Sequence, residues 1–121
     1  MRKYLEASFN CWLLPAIALC VHSATTPGAH GASFDCGSAT LPAEKTICGN
    51  GNLSGLDDRT AGMYFLIVGS GAPAGTIAQV EQAQRKFVHD RNACSGNIDC
   101  LVDAYTSQMM FLKNVKSNLG L

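Results

Sequence analysis

The residues with the most chemistry in them are cysteines, and their spacing favours bonds among themselves over bonds to a substrate. Six occur in the 121 residues: Cys11, Cys20, Cys36, Cys48, Cys94 and Cys100. Cys11 and Cys20 lie in an apolar run that reads as an export signal, so Cys36, Cys48, Cys94 and Cys100 remain for the exported part. An even number in a small exported chain reads as a disulfide framework, with three pairings possible. The local pairing, Cys36–Cys48 with Cys94–Cys100, closes two short loops, each stabilising by roughly 2–3 kcal/mol through loop-closure entropy. Metal binding is the competing chemistry. The spacings contain no C-x-x-C pair, and His89 beside Cys94 does not complete a zinc pattern, so neither a metal nor another cofactor is expected.

The titratable residues suggest structure before catalysis. Asp57, Asp58 and Arg59 cluster near the start of an apolar stripe, and Asp90-Arg91 ends another. An acid and a base embedded in apolar stripes usually find each other, so Asp57 and Arg91 are expected to form a buried or half-buried ion pair. Tyr64 and Tyr105 also sit on apolar stripes and are expected in the core with their hydroxyls at its edge. Arg85, Lys86 and His89 fall on the polar side of the same segment as Arg91, where a partner can reach them. No serine, histidine and acid arrangement has a recognisable elbow, and a small bundle provides no cleft for a pair of catalytic carboxylates. An enzyme is therefore not expected. Nine basic and nine acidic residues balance, which leaves no basic stripe for nucleic acid.

These residues are positioned by a chain that divides into three parts. Residues 1–23 begin with Arg2 and Lys3, continue through the uncharged run Cys11 to Val21, and end on Val21-His22-Ser23, as a cleaved signal does. The run falls short of the roughly 20 apolar residues that span a bilayer, so no membrane span is expected after cleavage. Ile17-Ala18-Leu19-Cys20 approximates a lipobox, which makes lipidation at Cys20 the alternative to cleavage after Ser23. Residues 24–33 are rich in glycine, proline and small polar residues and read as a flexible tether. The domain proper is expected over 34–117, a size at which the apolar core alone is marginal.

Within 34–117 the patterns are helical, with no strand pattern of useful length. A short helix is expected over Leu41–Cys48, capped by Thr40 and ended by Gly49. A second, capped by Asn52, carries Leu53, Leu56, Thr60, Met63, Tyr64, Ile67 and Val68 at three and four spacing. Thr76 and Gln79 suggest a capping box for a third, with Ile77, Val80, Ala83, Phe87 and Val88 on its apolar side. Cys94-Ser95-Gly96 turns the chain, and Asn97 caps a fourth with Leu101, Val102, Tyr105, Met109, Leu112 and Val115. That last helix is expected to fray through Lys116-Ser117-Asn118. The expected fold is an all-α bundle of one short and three longer helices, stapled by two local disulfides. Two glycine-rich stretches, Gly49–Asn52 and Gly69–Gly75, read as loops that a partner's cleft can receive. Met109-Met110-Phe111-Leu112 is a longer apolar run than one helix face needs.

Several of these residues together resemble one family. Ser33-Phe34-Asp35-Cys36, Glu44-Lys45-Thr46-Ile47-Cys48, Leu53, Leu56-Asp57 and Tyr64 match the N-terminal domain of the LprI-like lysozyme inhibitors in order and spacing. The likeness continues through Gln84-Arg85, Asp90-Arg91-Asn92-Ala93-Cys94 and Cys100-Leu101 to Tyr105, and spans roughly 33–112. The family usually has tryptophan where this chain has Phe87, and often arginine where it has Gln108. The resemblance implies a disulfide-stapled domain of the bacterial envelope, periplasmic or secreted, that binds a lysozyme or another peptidoglycan hydrolase. On that reading Arg91, Arg85, Lys86 and His89 are the candidate contacts, because a cleft with catalytic carboxylates accepts cationic or hydrogen-bonding groups. Two other functions fit the same export and staples: a non-inhibitory adaptor of the envelope, and an immunity protein against a cell-wall-degrading toxin.

Overall fold

The computed structural model describes residues 32–121; the signal segment, Cys20 and most of the tether lie outside the described residues. A 3-10 turn at Cys36–Ser38 leads into four helices: α1 Pro42–Gly49, α2 Gly51–Val68, α3 Ala74–Ala93 and α4 Ile98–Leu119. The all-α bundle of one short and three longer helices is present, with disulfides Cys36–Cys48 and Cys94–Cys100. Among the described residues no helix is long and apolar enough to cross a membrane. Among the same described residues, no group of three or more His, Cys, Asp or Glu stands where it could hold a metal ion.

The helix ends differ from expectation where several side chains compete to cap. Asn50, not Asn52, caps α2: its side chain accepts from the backbone N–H groups of Asn52 and Leu53. Only Asn50 separates α1 from α2, so Gly49–Asn52 is a helix junction and not an insertable loop. At α1 the Thr40 hydroxyl does not cap. Glu44 instead reaches back and accepts from the backbone N–H groups of Thr40 and Leu41, at 3.1 and 3.2 Å. The Leu41 bond foremost, then the Thr40 bond, holds the Glu44 carboxyl below its ordinary pKa. Helix α3 starts two residues before Thr76, following Pro73, and no side chain caps it. Helix α4 does not fray at Lys116; it runs to Leu119 and stops at Gly120, whose φ of 71° is left-handed.

The three long helices run up, down and up. Near one end Asp57 of α2, Arg91 of α3 and Tyr105 of α4 meet. Near the other, Ile67, Val80 and Leu112 pack together, every one fully buried. By helix rise the two meeting points are roughly 15 Å apart on α2 and α3. We call them the lower and upper ends. Helix α1 closes the lower end through Ala43 and Ile47, packed with Leu53, Phe87, Leu101 and Tyr105. The Ser54 hydroxyl donates to the Ile47 carbonyl at 2.6 Å, locking α2 to the last turn of α1. The corner between α3 and α4 touches α1 as well: a Cβ on Gly96 would stand 3.3 Å from Thr46 Oγ1. Ser95, with φ 51°, takes the left-handed conformation that turns the chain there.

The packed unit also begins earlier than the expected boundary at 34. Ala32 is buried in the lower core, and the Ser33 backbone N–H donates to Asp57 Oδ2. On α4 the buried positions are Leu101, Tyr105, Gln108 and Leu112, so polar Gln108 occupies a core position. It is satisfied there by donating from Nε2 to Gln84 Oε1 of α3 at 3.0 Å.

Candidate functional site

The most ordered polar constellation is built around Asp57. Helix α2 presents it inward because Leu53, Asp57 and Thr60 share the buried stripe. Its Oδ1 accepts from the Tyr105 hydroxyl at 2.7 Å and from Arg91 Nη1 at 3.5 Å. Its Oδ2 accepts the Ser33 N–H. The carboxylate is thus held by three segments far apart in sequence, at 2% exposure.

Arg91 is equally committed. Its Nε and Nη2 donate to Asn92 Oδ1 at 3.1 and 3.0 Å. The guanidinium lies over Phe34, 5.3 Å from the ring centre, and near Phe87 at 6.0 Å. Phe87 in turn meets the Tyr105 ring edge-on, with centres 5.1 Å apart. At 6% exposure Arg91 is not the accessible contact expected of it: it is buried between Asp57 and the Phe34 ring, and Nε, Nη1 and Nη2 each donate within the domain.

Tyr105 corrects a second expectation. The residue is fully buried and its hydroxyl points inward to Asp57, not outward to the core's edge. Burial, then the hydrogen bond to Asp57, raises its pKa far above the ordinary tyrosine value. The neutral phenol donates to the Asp57 carboxylate. Tyr64 is half-buried toward the upper end and meets exposed Phe65 edge-on at 5.2 Å. The Asp57 cluster therefore fastens helices. Every buried side-chain nitrogen and oxygen among the described residues has a partner.

The remaining candidates stand on the outside of α3. Lys86 and His89 side chains are 75% and 83% exposed. Both lean on Asp90: Lys86 makes a close ion pair with it, and His89 Nδ1 lies 3.3 Å from Oδ1. The Lys86 bond foremost holds the Asp90 carboxyl below its ordinary pKa. Arg85 is exposed beside a shallow hollow shared with Tyr64, Glu81, Gln84 and Val88. Arg85, Lys86 and His89 form one accessible ridge, with Asp90 offsetting part of its charge. The structure separates them from Arg91, which the sequence places on the same helix but whose side chain faces inward.

No family model, no curated protein and no solved structure matches the chain.

Proposed function

We propose that this is an exported, disulfide-stapled helical domain that binds a lysozyme or another peptidoglycan hydrolase and blocks it. The observation that carries the reading is the convergence of the residues behind the LprI-like resemblance. Asp57, Arg91 and Tyr105, with Phe34 and the two cystines around them, lie far apart in sequence and form one interlocked cluster. A shared signature of this kind is expected of residues that define a common scaffold. The two cystines also support an oxidising compartment, periplasmic or extracellular.

A scaffold fixed this firmly suits inhibition, because little ordering entropy remains to be lost on binding. The ridge of Arg85, Lys86 and His89 is the surface with the chemistry to meet a hydrolase cleft, whose carboxylates accept cationic donors. Titration of the oxidised protein against lysozymes of several types tests the reading. Inhibition with a stoichiometric complex at micromolar concentrations is expected. Neither inhibition nor complex formation against any type would overturn it.

A further inference from the structure

The side of the bundle away from that ridge carries a different kind of surface. A groove of about 460 Å³ runs between α2 and α4, floored by Gly62, Met63, Leu66 and Met109 and flanked by Arg59 and Lys113. Leu66 is 47% exposed, and the neighbouring Phe65 and Met110 are 65% and 62% exposed. The apolar surplus read in Met109–Leu112 thus divides: Leu112 enters the core, while Met109 and Met110 face outward or into the groove.

Two features set this groove apart from incidental apolar exposure. Gly62 sits inside an 18-residue helix with nothing within 4 Å of where a Cβ would be. Nothing in the monomer requires glycine there, although it weakens the helix by roughly 1 kcal/mol relative to alanine. What the missing side chain does is keep the groove open. The second feature is electrostatic. Arg59 and Lys113, like Lys45, Arg85 and Lys116, form no ion pair among the described residues, and these two stand beside an apolar floor. Asp58, next along α2, is exposed and is not part of the groove lining. The groove thus has an apolar floor and two uncompensated cations, roughly two helical turns apart along the bundle axis.

The complement of such a surface is a helix with an apolar stripe flanked by carboxylates. A trough between two parallel helices is shaped to receive a third, and the absence of a Cβ at Gly62 permits close approach. We propose that the α2–α4 groove is a docking site for an acidic amphipathic helix of a partner protein. Its apolar side chains would cover Gly62 and Leu66, and its carboxylates would pair with Arg59 and Lys113. This site goes beyond the inhibitory reading and does not depend on a hydrolase being bound.

Calorimetric titration of the oxidised protein with two synthetic helical peptides tests it. Both carry leucines at i, i+4 and i+7; one has flanking glutamates and the other flanking lysines. The glutamate peptide is expected to bind at least about tenfold more tightly, with the difference shrinking in high salt. The double substitution R59E/K113E should reverse the preference. Gly62→Leu should weaken binding at least about tenfold while leaving the melting temperature unchanged or raised, since its Cβ meets open space. Absence of binding by the glutamate peptide, equal affinity of the two peptides, or a preference that survives charge reversal would each overturn the proposal. Self-association of the protein that Gly62→Leu abolishes would also overturn it, by giving the groove to a second copy of the chain.

Discussion

At the lower end of the bundle three helices and the entering chain meet on one carboxylate, with a cystine on either side. At the upper end Ile67, Val80 and Leu112 meet as aliphatic side chains, and among the described residues no disulfide is near them. The lower arrangement is directional. Asp57 accepts from Tyr105, Arg91 and Ser33 at once, so three segments fix the orientation of one carboxylate. The upper arrangement depends on volume, which neighbouring side chains can share. One fold thus uses polar specificity to set which helices meet, and apolar packing to close the far end. Removing one partner should hurt the lower end most, because a buried charge is then left without compensation.

The largest expected effect is that of Asp57→Ala, which orphans Arg91 and the Tyr105 hydroxyl. It should lower stability by about 3–5 kcal/mol in urea unfolding. Asp57→Asn, which keeps an acceptor of the same shape, should cost less. At the upper end Leu112→Ala should cost about 3 kcal/mol, whereas Leu112→Met should cost under about 1.5 kcal/mol. Equal sensitivity to Leu112→Met and Asp57→Asn would erase the distinction between the ends. Replacing Cys94 and Cys100 together by serine should cost about 2 kcal/mol, since the loop they close is short. An unchanged melting temperature would show that this corner is not a staple.

A smaller and more selective effect is expected in alkali. The folded state holds the Tyr105 phenol neutral well above the ordinary tyrosine value, first by burial and then through its hydrogen bond to Asp57. Its contribution is therefore complete below the unfolded-state pKa of about 10 and is lost as pH rises beyond it. Stability should fall with pH in that window, and Tyr105→Phe should flatten the fall. Ultraviolet titration should show one tyrosine that ionises only on unfolding.

Much of the fold was legible in the sequence because it rests on local signals: helical periodicity, short cysteine loops, and the Asn97 cap. Most of what escaped was set by partners distant in the chain, and the rest by competition between neighbouring caps. Gln108 is a core residue only because Gln84 faces it across the α3–α4 interface. The Tyr105 hydroxyl turns inward only because Asp57, 48 positions earlier, is waiting for it. The cap of α2 moved to Asn50 because α1 ends at Gly49 and leaves a single residue for the junction. Arg91 shows the same limit within the candidate site. Its type and position fit both a core pair and a surface contact, and only the packing of Phe34 and Phe87 over it chooses between them. The groove at Gly62 had two faint sequence signals, a glycine that weakens its own helix and the apolar surplus at Met109–Leu112, and neither locates a groove.

Asp57 and Arg91 act as one structural unit that fixes the lower end. A double-mutant cycle of Asp57→Ala and Arg91→Ala, read by urea unfolding of the oxidised protein, tests this most directly. The double variant is expected to lose less stability than the two single losses added together, with a coupling of about 1–3 kcal/mol. Losses that add to within about 0.5 kcal/mol would mean that the two side chains stabilise the bundle independently, and would contradict it.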